Sequence, residues 1–157
     1  MDAAALTFDQ YLEADAAAQR SAEGKHAFER LQSELGSLPA TRQRLAFEMV
    51  EAGLKHVAEG VEIGPLASWI RRWSMNVEAG EMNCFIDMVE KLTIQYYESF
   101  EEFELSVPEL SVPILLSTIW ENQPARVAPL VQRLRTYARL VKSDIRIRIL
   151  DEFAETR

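Results

Sequence analysis

The sequence predicts an all-α fold, a single-domain helical bundle of roughly six to eight helices over residues 1–157. The length of 157 residues suits one domain, and the hydrophobic fraction of 48% is typical of a globular protein. Apolar residues recur every three or four positions in segments rich in Ala, Glu, Leu and Arg, which favour helices. Glycine and proline separate these segments, and residues 1–6 are expected to fray because they precede the first of them.

The first predicted helix begins near Phe8. Thr7 and Gln10 have the spacing of a capping box, in which two side chains satisfy free backbone N–H groups at a helix start. The helical apolar spacing then continues to Gly36, which ends it. Gly24 interrupts the pattern, so the sequence allows either one long helix or two consecutive helices.

Two further helices are predicted in the next part of the chain. The first follows Thr41 and ends at Gly60. Pro65 suits the first turn of the second, a short helix, because proline lacks an N–H that would be unpaired there. This short helix carries Trp69 and Trp73 four residues apart, and therefore on one face.

The clearest helix of the sequence follows Gly80. Its apolar residues recur at steps of three or four over more than four turns. These residues are Phe85, Met88, Val89, Leu92, Tyr96, Phe100 and Phe103. Further apolar positions widen the face, which predicts a central helix with neighbours on two sides.

The remaining helices are predicted from capping and spacing. Ser106 and Glu109 have capping-box spacing, and Pro113 is expected to kink or restart the helix that they begin. The last segment has a regular three–four rhythm. Residues 145–149 alternate as in a strand, but a single strand has no partner here, so we predict a continued helix or a new one capped by Ser143.

Charge is divided unevenly along the chain, whose formal net charge is −8. Residues 122–150 hold seven bases and one acid, a segment charge of +6, which leaves −14 for the rest. Residues 74–121 hold ten acids and one base, a segment charge of −9. Either these segments pair inside the fold, or at least one of them presents a charged surface to a partner.

Two charged surfaces follow from this division. The acidic surface is predicted at the far end of the aromatic helix, at Glu98, Glu101, Glu102 and Glu104. At 100° per residue, a basic stripe is predicted beside the apolar face of the last helix, at Arg135, Arg139, Lys142 and Arg146. Binding of nucleic acid to this stripe is disfavoured, because the −14 elsewhere repels a polyanion.

The aromatic residues have two interpretations. Trp69 and Trp73 are expected to be core residues, although exposed tryptophans beside arginines are typical of binding anchors. An apolar pocket between helices is the alternative, and it would bind a small molecule or a lipid. Its predicted lining is Trp69, Trp73, Phe85, Tyr96 and Tyr97.

The sequence predicts no catalytic residue, no cofactor and no metal site. Glu23 and His26 have the Glu-x-x-His spacing of metal-binding bundles, but His56 has Gly53 where a second glutamate is required. A metal-dependent enzyme therefore remains only an alternative hypothesis. The single cysteine, Cys84, is expected to be a small buried hydrophobic residue, and a reactive thiol near a helix start is the alternative.

These observations favour a non-enzymatic helical module that presents an acidic surface to a basic protein partner. Adaptors, inhibitors or immunity-type neutralisers, and secretion chaperones are the classes considered. A homodimer is also allowed, because the apolar rhythm of two helices suits a dimer interface as well as a core. The first nine residues carry acids and no base, unlike a secretory signal, and no apolar stretch reaches the ~20 residues of a membrane span, so we expect a cytoplasmic protein.

Overall fold

The computed structural model describes residues 2–102 and 106–157, with Ser106 described by its backbone alone. These residues are 86% helical, form eight α-helices and contain no strand, which confirms the all-α bundle. The helices are α1 (Phe8–Arg20), α2 (Ala22–Gly36), α3 (Pro39–Ala58), α4 (Gly64–Trp73), α5 (Met82–Ser99), α6 (Ser106–Asn122), α7 (Val127–Leu140) and α8 (Asp144–Glu155). Short 3₁₀ turns lie at Ala3–Ala5, Ser74–Asn76, Ala79–Glu81 and Pro124–Arg126.

The first predicted helix is two helices joined at Ser21. The Ser21 backbone is extended, and its hydroxyl accepts a hydrogen bond from the Gly24 N–H at 3.0 Å, which starts α2. A Cβ built on Gly24 would lie 2.2 Å from the Ala17 carbonyl oxygen. Gly24 therefore permits a close approach of α1 and α2. The predicted capping box of Thr7 and Gln10 is confirmed.

The start of the chain is packed rather than frayed in the part that the structure describes. Residues 3–5 form a 3₁₀ turn, and the Leu6 side chain is fully buried. The Arg44 guanidinium of α3 donates to the Leu6 carbonyl at 2.7 Å and to the Ala4 carbonyl at 3.3 Å. The expected fraying is wrong for residues 2–6, because the apolar Leu6 anchors the segment in the core.

Helix α5 is central, as its wide apolar face predicts. It packs against α3, α6 and α7. Helix α6 passes through Pro113 without restarting. Gly53 of α3 lies against the Leu92 side chain of α5, where a Cβ would come within 2.8 Å of a methyl carbon. Among the described residues, no helix combines the length and apolar character needed to cross a bilayer.

The last segment is two helices, and Ser143 caps the second. The Ser143 hydroxyl accepts from the Arg146 N–H at 3.3 Å, and residues 145–149 lie within α8. Lys142, in the turn between α7 and α8, has a positive φ of 55°. Hydrogen bonds from Arg146 and Tyr137 to the end of α5 place this turn beside the ends of α5 and α7.

Candidate functional site

Arg146 is a buried cation at the carboxyl end of α5. Its Nε donates to the Tyr97 carbonyl at 2.8 Å, and its Nη2 donates to the Phe100 carbonyl at 2.7 Å. Its Nη1 lies 3.2 Å from the Ser143 hydroxyl and 3.4 Å from a Glu102 carboxylate oxygen. The guanidinium also lies 4.0 Å from the centre of the Phe100 ring. Arg146 therefore satisfies carbonyls that the end of α5 leaves free, where the helix dipole favours a cation.

The predicted basic stripe does not form. Arg146 is only 6% exposed. Arg135 is bound to Asp151 at 2.6 Å, whereas Arg139 and Lys142 are exposed. The stripe required one continuous helix, and α7 ends two residues before Lys142, so the 100° spacing no longer relates these side chains.

Part of the segregated charge pairs inside the fold. Among the described residues, four of the seven bases in residues 122–150 form ion pairs, three of them with acids of residues 74–121. The pairs are Arg126 with Asp87 (2.5 Å) and Glu90 (3.1 Å), Arg135 with Asp151, Arg146 with Glu102, and Arg148 with Glu109. Internal pairing thus explains the division in part and leaves other charges on the surface.

The four predicted acids do not share one surface. Glu98 is half-buried in a groove between α5 and α7, and its backbone carbonyl accepts from the Tyr137 hydroxyl at 2.9 Å. Glu102 faces Arg146. Glu101 is exposed, with no ion-pair partner in the described chain. Glu104 lies outside the described residues.

Glu101 instead shares a cleft with Glu62, which follows α3. We call this cavity of about 190 Å³ the acidic cleft. Its lining residues are Val57, Gly60, Val61, Glu62, Tyr96, Ser99, Phe100 and Glu101. Sequence analysis missed Glu62, because the pattern locates the ends of α3 and α5 without indicating that they lie side by side.

The acidic cleft favours a cation with an aliphatic stem. Helix α3 ends at it, and a helix carboxyl end carries roughly half a negative charge, whereas the carboxyl end of α5 is already capped by Arg146. Glu62 and Glu101 are exposed, and neither has an ion-pair partner in the residues described. Val61, which is 48% exposed, adds an apolar wall. A lysine or arginine side chain has both parts that this surface requires.

The predicted aromatic pocket does not form, because its residues belong to separate clusters. Trp73 is buried and Trp69 is partly buried, and both rings contact Tyr11. Phe85 packs against Phe47. Tyr97 packs against Phe100 and Tyr137 instead, and burial raises the pKa of its phenol. Tyr96 also contacts Phe100 and lines the acidic cleft.

A larger groove of about 550 Å³ lies between α4 and α6. Its lining residues are Ser68, Arg71, Arg72, Ser74, Met75, Ile114, Glu121 and Asn122. The Arg71 guanidinium is hydrogen-bonded to Glu121, which raises the pKa of Arg71. This groove has polar and apolar lining and shares no residue with the predicted aromatic pocket.

The residues considered for chemistry lie apart. His26 is exposed, and its Nδ1 is 3.8 Å from a Glu29 oxygen. In residues 2–102 and 106–157 no three His, Cys, Asp or Glu side chains are grouped to hold a metal ion. Cys84 is exposed, so the expectation of a buried cysteine is wrong. It precedes the buried Phe85 on α5 and faces solvent.

Comparison of this chain with protein-family models, with curated proteins and with solved structures gives no match.

Proposed function

We propose that this protein is a non-enzymatic binding module whose acidic cleft receives a lysine or arginine side chain of a basic protein partner. One observation carries the proposal: the cleft joins two exposed carboxylates, Glu62 and Glu101, to the carboxyl end of α3. Adaptors, inhibitors or immunity-type neutralisers, and secretion chaperones are the classes of protein considered for it.

The charge distribution outside the cleft supports the same partner. The formal charge of −8 attracts a basic protein at long range and raises its association rate at low salt. Three bases of residues 122–150 are paired with acids of residues 74–121, whereas Glu62 and Glu101 have no ion-pair partner in the described residues. The apolar wall at Val61 excludes water from one side of a bound cation, which strengthens its attraction to the carboxylates.

The test is affinity capture from the cells that make the protein, with the wild type and two variants of equal charge. The first variant is Glu62→Gln/Glu101→Gln in the cleft. The matched control is Glu13→Gln/Glu23→Gln, which removes two exposed acids of α1 and α2 that have no ion-pair partner in the described chain. Captured proteins are identified by mass spectrometry, and association is then measured with the purified partner.

We expect the wild type and the control variant to retain one stoichiometric basic protein that the cleft variant loses. The cleft variant should bind the purified partner at least about tenfold more weakly, with a smaller dependence of association rate on salt. Equal binding by the two variants would refute the role of the cleft. Capture of an acidic protein or of nucleic acid would refute the proposed partner.

A further inference from the structure

Three large apolar side chains are exposed at the end of the bundle where α3, α5 and α7 end. Leu140 is 78% exposed, Val141 is 43% exposed and Val61 is 48% exposed. Val61 belongs to the acidic cleft, and the other two lie at the junction of α7 and the following turn. Large apolar side chains exposed at one end of a bundle are candidates for a contact surface.

The same end carries exposed charges of both signs. Arg139 and Lys142 flank Leu140 and Val141, and neither cation has an ion-pair partner within the described chain. The acidic cleft supplies two exposed carboxylates, Glu62 and Glu101, equal in number to these two cations. A twofold arrangement in which the turn of each copy meets the acidic cleft of the other would pair these two acids with these two bases twice over.

Lys142 has a backbone conformation that glycine usually adopts. Its φ of 55° lies in the left-handed region, which carries a free-energy cost for a non-glycine residue. Glycine would avoid this cost, but it would remove the cation from the end of the turn. This conformation closes α7: the Lys142 N–H donates to the Arg139 carbonyl at 3.2 Å, and the Ser143 N–H donates to the Ala138 carbonyl at 3.0 Å.

We infer that a second copy of this chain docks on this end of the bundle. The turn between α7 and α8 of each protomer places Lys142 and Arg139 at the acidic cleft of its partner, and Leu140 packs on Val61. Dimer formation is measured on the pure protein, so its result does not depend on whether the proposed basic partner exists. Such a partner would compete with the dimer for the cleft.

The contact area at one end of a small bundle predicts a weak dimer, with a Kd on the order of 10–100 μM. Because exposed charges form much of the contact, the Kd should rise about tenfold between low salt and about 0.5 M salt. Sedimentation velocity at increasing protein concentration measures both values.

Charge reversal on each half of the interface gives the decisive test. The turn variant is Arg139→Glu/Lys142→Glu, and the cleft variant is Glu62→Lys/Glu101→Lys. Each should be monomeric alone, because both contacts of its twofold dimer become repulsive. Mixed together they should form a heterodimer, because both contacts then join opposite charges. Lys25→Glu/Arg30→Glu, which reverses two exposed cations of α2, is the control and should dimerise as the wild type does.

A wild type that stays monomeric to about 500 μM would overturn the inference, as would a mixture of the two reversed variants that shows no heterodimer. Unchanged dimerisation of either variant would also overturn it. If the wild type is monomeric and binds vesicles containing phosphatidylserine but not phosphatidylcholine vesicles, the turn contacts anionic lipid instead. Circular dichroism of all variants verifies that these exposed substitutions leave the fold intact.

Discussion

Replacing Arg146 with methionine tests whether the buried guanidinium holds α5 and α8 together. Methionine keeps the apolar contact with the Phe100 ring and removes the hydrogen bonds to the Tyr97 and Phe100 carbonyls. A hydrogen bond with a charged partner contributes about 1.5–3 kcal/mol. Two such bonds contribute about 3–6 kcal/mol. The substitution also removes the desolvation cost of burying a charge, which offsets part of this loss. We expect the free energy of unfolding to fall by about 3 kcal/mol.

Urea unfolding followed by circular dichroism measures this loss. With a slope of about 2 kcal/mol per molar urea, the midpoint should fall by about 1.5 M. Arg146→Lys keeps the charge but lacks the planar fork that reaches two carbonyls, so its loss should be about half as large. Arg133→Met is the control, because Arg133 is exposed on α7, and its effect should stay within about 0.5 kcal/mol. A loss below about 1 kcal/mol in Arg146→Met would refute the reasoning.

Three further predictions concern the backbone and one buried phenol. Gly24→Ala should lose about 2–3 kcal/mol of stability in urea, because its Cβ would overlap the Ala17 carbonyl, whereas Gly36→Ala, with no atom within 4 Å, should be neutral or stabilising. Lys142→Gly should gain about 0.5–1 kcal/mol, and a clear loss would contradict the cost assigned to its positive φ. Burial raises the pKa of Tyr97, so its neutral form stabilises the fold at neutral pH, and this contribution is lost as pH rises above the unfolded value of 10.0. Thermal unfolding across this pH range should therefore show a smaller decline in Tyr97→Phe than in the wild type.

Local sequence signals predicted much of the fold. The capping box at Thr7 and the cap at Ser143 each act within three or four residues, so they can be read without tertiary contacts. The wide apolar face of α5 predicted its central place, because burial on two sides requires it. The end of α2 at Gly36 followed from the change of pattern at that residue.

The candidate site depends on contacts between distant segments, which local patterns do not contain. Glu62 and Glu101 belong to different helix ends, and only packing places them in one cleft. Arg146 was predicted on a surface stripe because its charge suggested exposure, but carbonyls at the end of α5 compensate its burial. Lys142 breaks the helix in a left-handed conformation that its residue type does not favour, so spacing alone could not locate the turn.

The hydrogen bonds of Arg146 also determine when the acidic cleft can be completed during synthesis. The chain leaves the ribosome from its amino end, so α3 and α5 are made long before Arg146 is available. Until then the Tyr97 and Phe100 carbonyls at the end of α5 lack their buried donor. A nascent chain that stops before residue 146 should therefore have a mobile end of α5, and the two carboxylates should gain their fixed separation only after α8 docks. The acidic cleft is thereby completed only after α8, which follows both of its carboxylates in the chain.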